Sequence, residues 1–246
     1  MDAAGLADHL VAWLAREVAA SGGRGAVFGL SGGLDSAVVG ALARRAFDDR
    51  ALAVVMPCHS DPADAEDAAR VVRRFALTSV TVDLGATCDA LLAELVRAAP
   101  GLAAHRLATA NVKPRLRMAT LYALANLHDY RVLGTGNLAE LTVGYFTKYG
   151  DGGCDLLPLG SLTKGEVRDL ARELGVPQRI IDKPPSAGLW ADQTDEGEMG
   201  LTYDDLDAYL RGGDVPAEVR ARIEALRAAS GHKRALPRVA PRPGAG

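Results

Sequence analysis

Short apolar runs that alternate with amphipathic stretches dominate the first part of the chain. The runs at 26–28, 51–56 and 78–82 are too short for helices, which predicts buried strands. One intervening helix should end near Phe47, and a second should run from Asp61 to about Phe75, because Asp61-Pro62 is typical of an N-cap followed by proline. The alternation predicts an α/β fold: an open, mostly parallel sheet with helices on both faces.

The rest of the chain continues this pattern less regularly. A single long helix is predicted at 107–127 despite Pro114, and residues 182–200 lack a regular pattern. We expect one domain over residues 1–236 and a disordered tail over 237–246, which is rich in Pro, Gly and Arg. The other predicted elements are helices at 6–18, 163–174, 202–210 and 216–229 and a strand at 132–134.

Composition narrows the class of protein. The 246 residues carry 28 basic and 31 acidic side chains, without the basic excess typical of nucleic-acid binders. The scattered Cys58, Cys88 and Cys154 fit neither a disulfide framework nor a zinc site, and they favour a reducing cytoplasm. No signal peptide or membrane-spanning stretch is predicted. We therefore expect a cytoplasmic protein that has neither a nucleic-acid nor a membrane partner.

The strongest local signal is a glycine-rich turn between the first strand and the next helix. Glycines allow the backbone to approach a ligand closely, and the helix N-terminus favours phosphate. The turn matches neither G-x-x-x-x-G-K-[ST] nor G-x-G-x-x-G, which disfavours kinase-like and dehydrogenase functions. It predicts a phosphate-binding loop made of Gly29, Leu30, Ser31, Gly32, Gly33, Leu34, Asp35 and Ser36.

Residues 31–36 resemble the S-G-G-x-D-S signature of the PP-loop ATP pyrophosphatases, and further segments resemble the ammonia-dependent NAD synthetases of that superfamily. The longest match is G-Y-F-T-K-Y-G-D-G-G-C-D at 144–155. Two small departures are Pro114 and Cys154, where the family commonly has Ala. The other matching segments lie at 111–118, 134–140, 183–190 and 232–234.

The resemblance implies a Rossmann-like adenine nucleotide alpha hydrolase fold and a set of site residues. Asp35 and Glu140 would hold Mg²⁺, whose preferred ligands are hard oxygens. ATP would bind the loop at 29–36 together with Thr135, Lys164 and Ser186. Deamido-NAD would bind Arg115, Lys148, Asp155, His232 and Lys233.

The implied reaction is the ATP-dependent amidation of deamido-NAD to NAD, with AMP and pyrophosphate as the other products. The substrate carboxylate would become an acyl-adenylate, which ammonia then attacks. Asp151 is our hypothesis for the group that deprotonates ammonium. Because the chain has no room for an amidohydrolase domain, we expect free ammonia or a separate partner to supply nitrogen. The resemblance also implies a homodimer.

Two alternatives remain open at this point. One is a tRNA-modifying or GMP-forming PP-loop enzyme, although the sequence shows no catalytic cysteine pair, RNA-binding appendage or separate dimerisation domain. The other is a nucleotide-binding regulatory protein on a degenerate scaffold, which could have lost Asp35, Glu140, Lys148 and Lys164. Finally, Pro184, Pro185 and the glycines at 182–203 predict a mobile loop that closes over the ATP site.

Overall fold

Four parallel strands form one sheet at the centre of the molecule. The computed structural model describes residues 1–190, 193–240 and 242. The strand order is β3-β2-β1-β4, and every pairing within it is parallel. The strands are β1 (Gly25–Gly29), β2 (Ala51–Val55), β3 (Thr78–Thr81) and β4 (Tyr130–Leu133).

Twelve α-helices surround the sheet in the described part of the chain. They are α1 (Ala3–Ala20), α2 (Leu34–Phe47), α3 (Pro62–Phe75), α4 (Gly85–Ala98), α5 (Arg106–Ala110), α6 (Val112–His128), α7 (Leu138–Val143), α8 (Lys164–Leu174), α9 (Gln178–Ile181), α10 (Asp195–Met199), α11 (Tyr203–Leu210) and α12 (Ala217–Ala229). None of the helices described is long and apolar enough to cross a membrane.

Both faces of the sheet are covered, because successive residues of a strand point to opposite sides. Phe28 and Leu133 face a core that α1, α2, α3 and α8 complete. Val27 and Val132 face a second core, closed by α4 and α6. The α/β fold with helices on both faces, predicted from the sequence, is confirmed. A third apolar cluster joins α7 to α10, α11 and α12.

Side-chain caps set where several helices begin. Asp61 accepts a hydrogen bond from the backbone N–H of Ala63 (2.9 Å), and Pro62 starts α3 as predicted. Thr163 and Glu166 form the predicted capping box at the start of α8. A second capping box, Asn137 with Glu140, starts α7 and fixes Glu140 in the first turn of this helix, which follows β4.

The prediction of one helix over 107–127 is wrong, because the helix is interrupted. Helix α5 ends at Ala110 and α6 starts at Val112. Pro114 explains the interruption: within a continuous helix its ring would clash with the carbonyl of Ala110. The break places Pro114 in the first turn of α6, where backbone N–H groups have no partner within the helix.

Other differences concern helices that were not predicted. They are the 14-residue helix α4 and the short helices α7 and α9. Helix α10 lies inside the stretch at 182–200 that was interpreted as lacking regular structure. The expected mobile loop also includes residues 191 and 192, which lie outside the described residues. In the predicted tail, residues 237–240 and 242 have no regular structure, and residues 241 and 243–246 lie outside the described part.

Candidate active site

A cavity of about 760 Å³ opens at the carboxyl ends of β1, β2 and β4. Ligand sites in open parallel sheets lie at this edge. Most of the residues predicted to bind ATP, deamido-NAD and metal line it. They are Gly29, Leu30, Ser31, Gly33, Leu34, Asp35, Ser36, Arg115, Thr135, Glu140, Lys148, Asp151, Lys164, Ser186, His232 and Lys233.

The loop at 29–36 is held in a single shape by its own hydroxyl groups and by α3. Ser36 Oγ donates to the carbonyl of Gly33 (2.9 Å) and accepts from the backbone N–H of Ser31 (3.2 Å). Gly32 does not line the cavity. It has a φ of +80°, and a Cβ at this position would lie 2.4 Å from the carbonyl oxygen of Asp64. Only glycine fits between the loop and α3. The loop leads into the N-terminus of α2, where backbone N–H groups can face an anion.

A buried ion cluster lies beside this loop. Lys164, only 1% exposed, starts α8 and hydrogen-bonds through Nζ to Oδ2 of Asp35 in the first turn of α2. Oε1 of Glu140 lies 3.6 Å from the same Nζ. Since a buried charge is costly without a partner, the three groups stabilise one another and fix α2, α7 and α8 around one point.

Uncharged side chains complete the cluster. Asn137 is fully buried, and its side-chain N–H donates to Oδ1 of Asp35 (3.3 Å). The hydroxyl of Tyr203 lies 3.1 Å from Oε1 of Glu140 and 3.0 Å from Oδ2 of Asp195. Asn137, Tyr203 and Asp195 were not among the predicted site residues. For Asn137 a signal was available, because N-x-x-E is a capping-box pattern.

Two carboxyl groups in the cavity have raised pKa values. Burial raises the pKa of Glu140 to about 7, with Asp35 adding to the effect and Lys164 opposing it. Burial also raises the pKa of Asp151, whose Oδ1 accepts from the backbone N–H of Thr147 (3.0 Å). A carboxylate with a raised pKa is a stronger base, as removal of a proton from ammonium requires.

Basic side chains predicted to bind the dinucleotide lie along another wall of the cavity. Arg115 donates to the carbonyl of Lys148 (3.4 Å), and Lys148 Nζ donates to the carbonyl of His232 (2.5 Å). Lys233 Nζ donates to the carbonyls of Gly144 and Phe146, at 2.8 and 2.7 Å. These contacts hold the C-terminal segment against the motif at 144–155 and place its positive charges beside the cavity.

Asp155 is placed differently from the other predicted site residues. It does not line the cavity, and its carboxylate accepts from the hydroxyl of Tyr122 (3.0 Å) and the backbone N–H of Val132 (2.8 Å). Arg117, by contrast, was not among the predicted site residues, yet it lines the cavity and donates to the carbonyl of Met56 and to Ser60 Oγ, both at 3.2 Å. The second arginine of the matched segment therefore fixes the loop that follows β2.

Comparison with known proteins now decides the family. The model of the family described as NAD synthase matches residues 6–237, nearly the whole chain. The chain belongs to the NAD synthase family. The family and ligase assignments predicted from the sequence are therefore confirmed.

Individual relatives of this NAD synthase family member agree. An NH₃-dependent NAD⁺ synthetase of Carboxydothermus hydrogenoformans is 49% identical over 94% of this chain and 95% of its own length. The structure of an NMN synthetase from Francisella tularensis superposes with a TM-score of 0.92, at 37% identity, covering 98% of this chain and 99% of that one. An NH₃-dependent NAD synthetase from Campylobacter jejuni, solved with nitrate, gives a TM-score of 0.78 at 28% identity, covering 98% and 100%.

An ionic contact anchors the start of the loop at 182–203. Asp67 of α3, 1% exposed, accepts from Lys183 Nζ (2.9 Å) and Arg179 Nε (3.1 Å). Lys183 Nζ also donates to Asp64 (2.8 Å). Burial favours the neutral acid, but Lys183 and Arg179 outweigh it, so the pKa of Asp67 lies below its ordinary value of 3.8.

We predict that Asp67→Asn destabilises the protein by about 2 kcal/mol at neutral pH, the scale of a buried hydrogen-bonded charge. A carboxylate with a lowered pKa stabilises the folded state above its ordinary pKa, and that stabilisation is lost as the pH falls through the lowered value. The difference between variant and wild type should therefore shrink below about pH 4. Urea unfolding at several pH values measures it. Asp64→Asn, at a more exposed carboxylate, is the matched control and should cost less; equal costs at all pH values would contradict the assignment.

Proposed function

We propose that this chain catalyses the ATP-dependent amidation of deamido-NAD by ammonia, giving NAD, AMP and pyrophosphate. The observation that carries the proposal is the meeting of three features in one cavity. These are the phosphate loop at 29–36, the Asp35–Lys164–Glu140 cluster, and the basic wall that includes Arg115, Lys148 and His232. Such a cavity suits two phosphate-bearing substrates that must react with each other.

The reaction requires positioning and charge stabilisation more than a nucleophilic side chain. The substrate carboxylate attacks the α-phosphorus of ATP, and the bond from that phosphorus to the pyrophosphate oxygen breaks. The N–H groups at the start of α2 and the ammonium of Lys164 would stabilise the leaving charge. Asp151 would take a proton from ammonium. The ammonia that results attacks the carbonyl carbon of the acyl-adenylate, and AMP leaves with the carbon–oxygen bond electrons while the nitrogen loses a further proton.

The donor set beside the loop fits Mg²⁺. Asp35 and Glu140 supply hard carboxylate oxygens, which magnesium prefers together with water and phosphate oxygens. The ammonium of Lys164 lies near both carboxylates and compensates part of their charge. Bound there, Mg²⁺ would neutralise charge on the phosphates. Within the described residues, no group of three or more His, Cys, Asp or Glu side chains is placed to hold a metal ion by itself.

We predict that Asp35→Asn and Glu140→Gln each lower kcat more than tenfold, equivalent to about 1.4 kcal/mol of activation free energy. Each change removes a carboxylate while keeping its shape and packing. Steady-state kinetics with saturating ATP measures the loss, and circular dichroism checks that the fold persists. If either folded variant keeps more than a tenth of wild-type turnover, its residue is not a metal ligand.

The nitrogen donor gives a second test. We expect NAD formation with ammonium that rises with pH as the NH₃ fraction grows, and no reaction with ammonia-free glutamine. Chromatography of the products from ATP, Mg²⁺ and deamido-NAD with either nitrogen source measures this. Equal rates with glutamine would contradict free ammonia as the donor, and ATP binding without AMP formation would favour a regulatory protein instead.

A second candidate acid is nicotinic acid mononucleotide, which would make this chain an NMN-forming enzyme. The observation that favours it is the high TM-score of 0.92 to the Francisella tularensis NMN synthetase, against 0.78 for the Campylobacter jejuni NAD synthetase. The position of Asp155 outside the cavity also removes one predicted dinucleotide contact from the site. Comparing kcat/KM for the dinucleotide and mononucleotide acids in the same assay decides between them.

The loop at 182–203 is proposed to close over the ATP site. Lys113 Nζ donates to the carbonyl of Leu189 (2.9 Å), and the guanidinium of Arg106 lies 4.1 Å from the centre of the Trp190 ring. Ser186 lines the cavity nearby. These few contacts can hold a closed loop while allowing it to open, and a closed loop would keep water from the acyl-adenylate.

We predict that Trp190→Ala raises the ratio of AMP to NAD above one, because a loosened loop admits water to the adenylate. Hydrogen exchange over residues 182–203 should slow when an ATP analogue and deamido-NAD bind. Val239→Ala, at an exposed position outside the loop, is the control. A ratio that stays near one, or equal strong protection with and without ligands, would contradict the closing loop.

The homodimer implied by the family resemblance remains a proposal. Leu91 and Leu95 of α4, Leu107 of α5 and Leu127 of α6 are exposed large apolar side chains. Apolar side chains that collect on one group of helices favour an interface there.

A cytoplasmic location likewise remains a prediction.

A further inference from the structure

Asp195 is a buried carboxylate that the protein satisfies only in part. It is 5% exposed and lines the cavity. Its Oδ2 accepts from the hydroxyl of Tyr203 (3.0 Å), but its Oδ1 has no hydrogen-bond partner among the described residues. A buried acceptor without a partner is costly, so such an atom in a cavity indicates a ligand.

The charge balance indicates which kind of ligand. Tyr203 has one hydroxyl proton, but its oxygen lies within hydrogen-bonding distance of both Glu140 and Asp195. Through this hydroxyl, Asp195 joins the cluster in which Asp35 and Glu140 lie beside the ammonium of Lys164. Three carboxyl groups and one ammonium in the same cluster favour a ligand that carries positive charge.

We propose that Asp195 is the third carboxylate of the cation site and accepts a hydrogen bond from a water bound to Mg²⁺. An indirect contact is favoured because the three carboxylates do not converge closely enough, in the described structure, to ligate one ion together. Mg²⁺ loses its water reluctantly and commonly keeps several bound molecules. This inference rests on the proposed function, because it uses the same metal and the same nucleotide.

The position of Asp195 gives the contact a consequence. Asp195 is the first residue of α10, and its backbone N–H donates to the carbonyl of Pro185 across the loop (3.1 Å). A cation that attracts Asp195 therefore also acts, through this hydrogen bond, on Pro185, which lines the same cavity.

The test compares Asp195→Asn with wild type and with Asp204→Asn, a matched change at an exposed residue of α11. Free Mn²⁺ is measured by electron paramagnetic resonance during titration of protein saturated with ATP, without deamido-NAD. We expect Asp195→Asn to weaken Mn²⁺ binding about tenfold, the scale found for partners of metal-bound groups. Asp204→Asn should bind as wild type does.

Thermal unfolding without metal or nucleotide separates this role from a structural one. Asp195→Asn should unfold at the same temperature as wild type or higher, because it removes a buried charge that the protein satisfies poorly. A lower unfolding temperature with unchanged Mn²⁺ affinity would overturn the proposal. So would unchanged Mn²⁺ affinity with a raised KM for ammonium, which would assign Asp195 to the nitrogen substrate. The titration needs no turnover. If wild type forms NAD and Asp195→Asn binds Mn²⁺ as tightly as wild type does, this inference is disproved while the proposed function stands.

Discussion

The buried ammonium of Lys164 is the interaction on which the rest of the site depends. A charge that is almost fully removed from water must be compensated by nearby opposite charge. Asp35 and Glu140 provide that compensation from α2 and α7, which are far apart in the chain. The requirement therefore fixes three helix N-termini at the carboxyl edge of the sheet, where a nucleotide can reach all of them.

The ion cluster of Asp35, Glu140 and Lys164 contributes both to the stability of the fold and to the electrostatics of the candidate site. Carboxylates near a helix N-terminus are stabilised by its dipole, and Asp35 and Glu140 both lie in first turns. Burial, with the neighbouring Asp35 adding to the effect, raises the pKa of Glu140 to about 7. Burying several carboxyl groups around one ammonium is less favourable than burying apolar side chains, and such a local cost is characteristic of functional positions.

The sequence was sufficient for the strands, for most of the larger helices and for the residues inside recognisable motifs. Asp35, Glu140 and Lys164 could be named as candidate site residues because they lie in segments that resemble the motifs of the family. The roles of Tyr203 and Asp195 could not be predicted, since they depend on α10 and α11 folding back against α7. Helix α4 is a different case: apolar residues at Cys88, Leu91, Leu92 and Leu95 have helical spacing, so the signal was present and was missed.

The interruption between α5 and α6 determines how Pro114 affects the stability of the protein. In the folded protein it forfeits no helical hydrogen bond, because α6 has only just begun at that position. Its fixed φ also restricts the conformations open to the unfolded chain. A proline that fits its native conformation without strain typically adds about 0.4–1 kcal/mol of stability in this way. Pro114 restricts the denatured chain, and this restriction stabilises the start of α6 beside Arg115. No additional contact in the folded protein is needed.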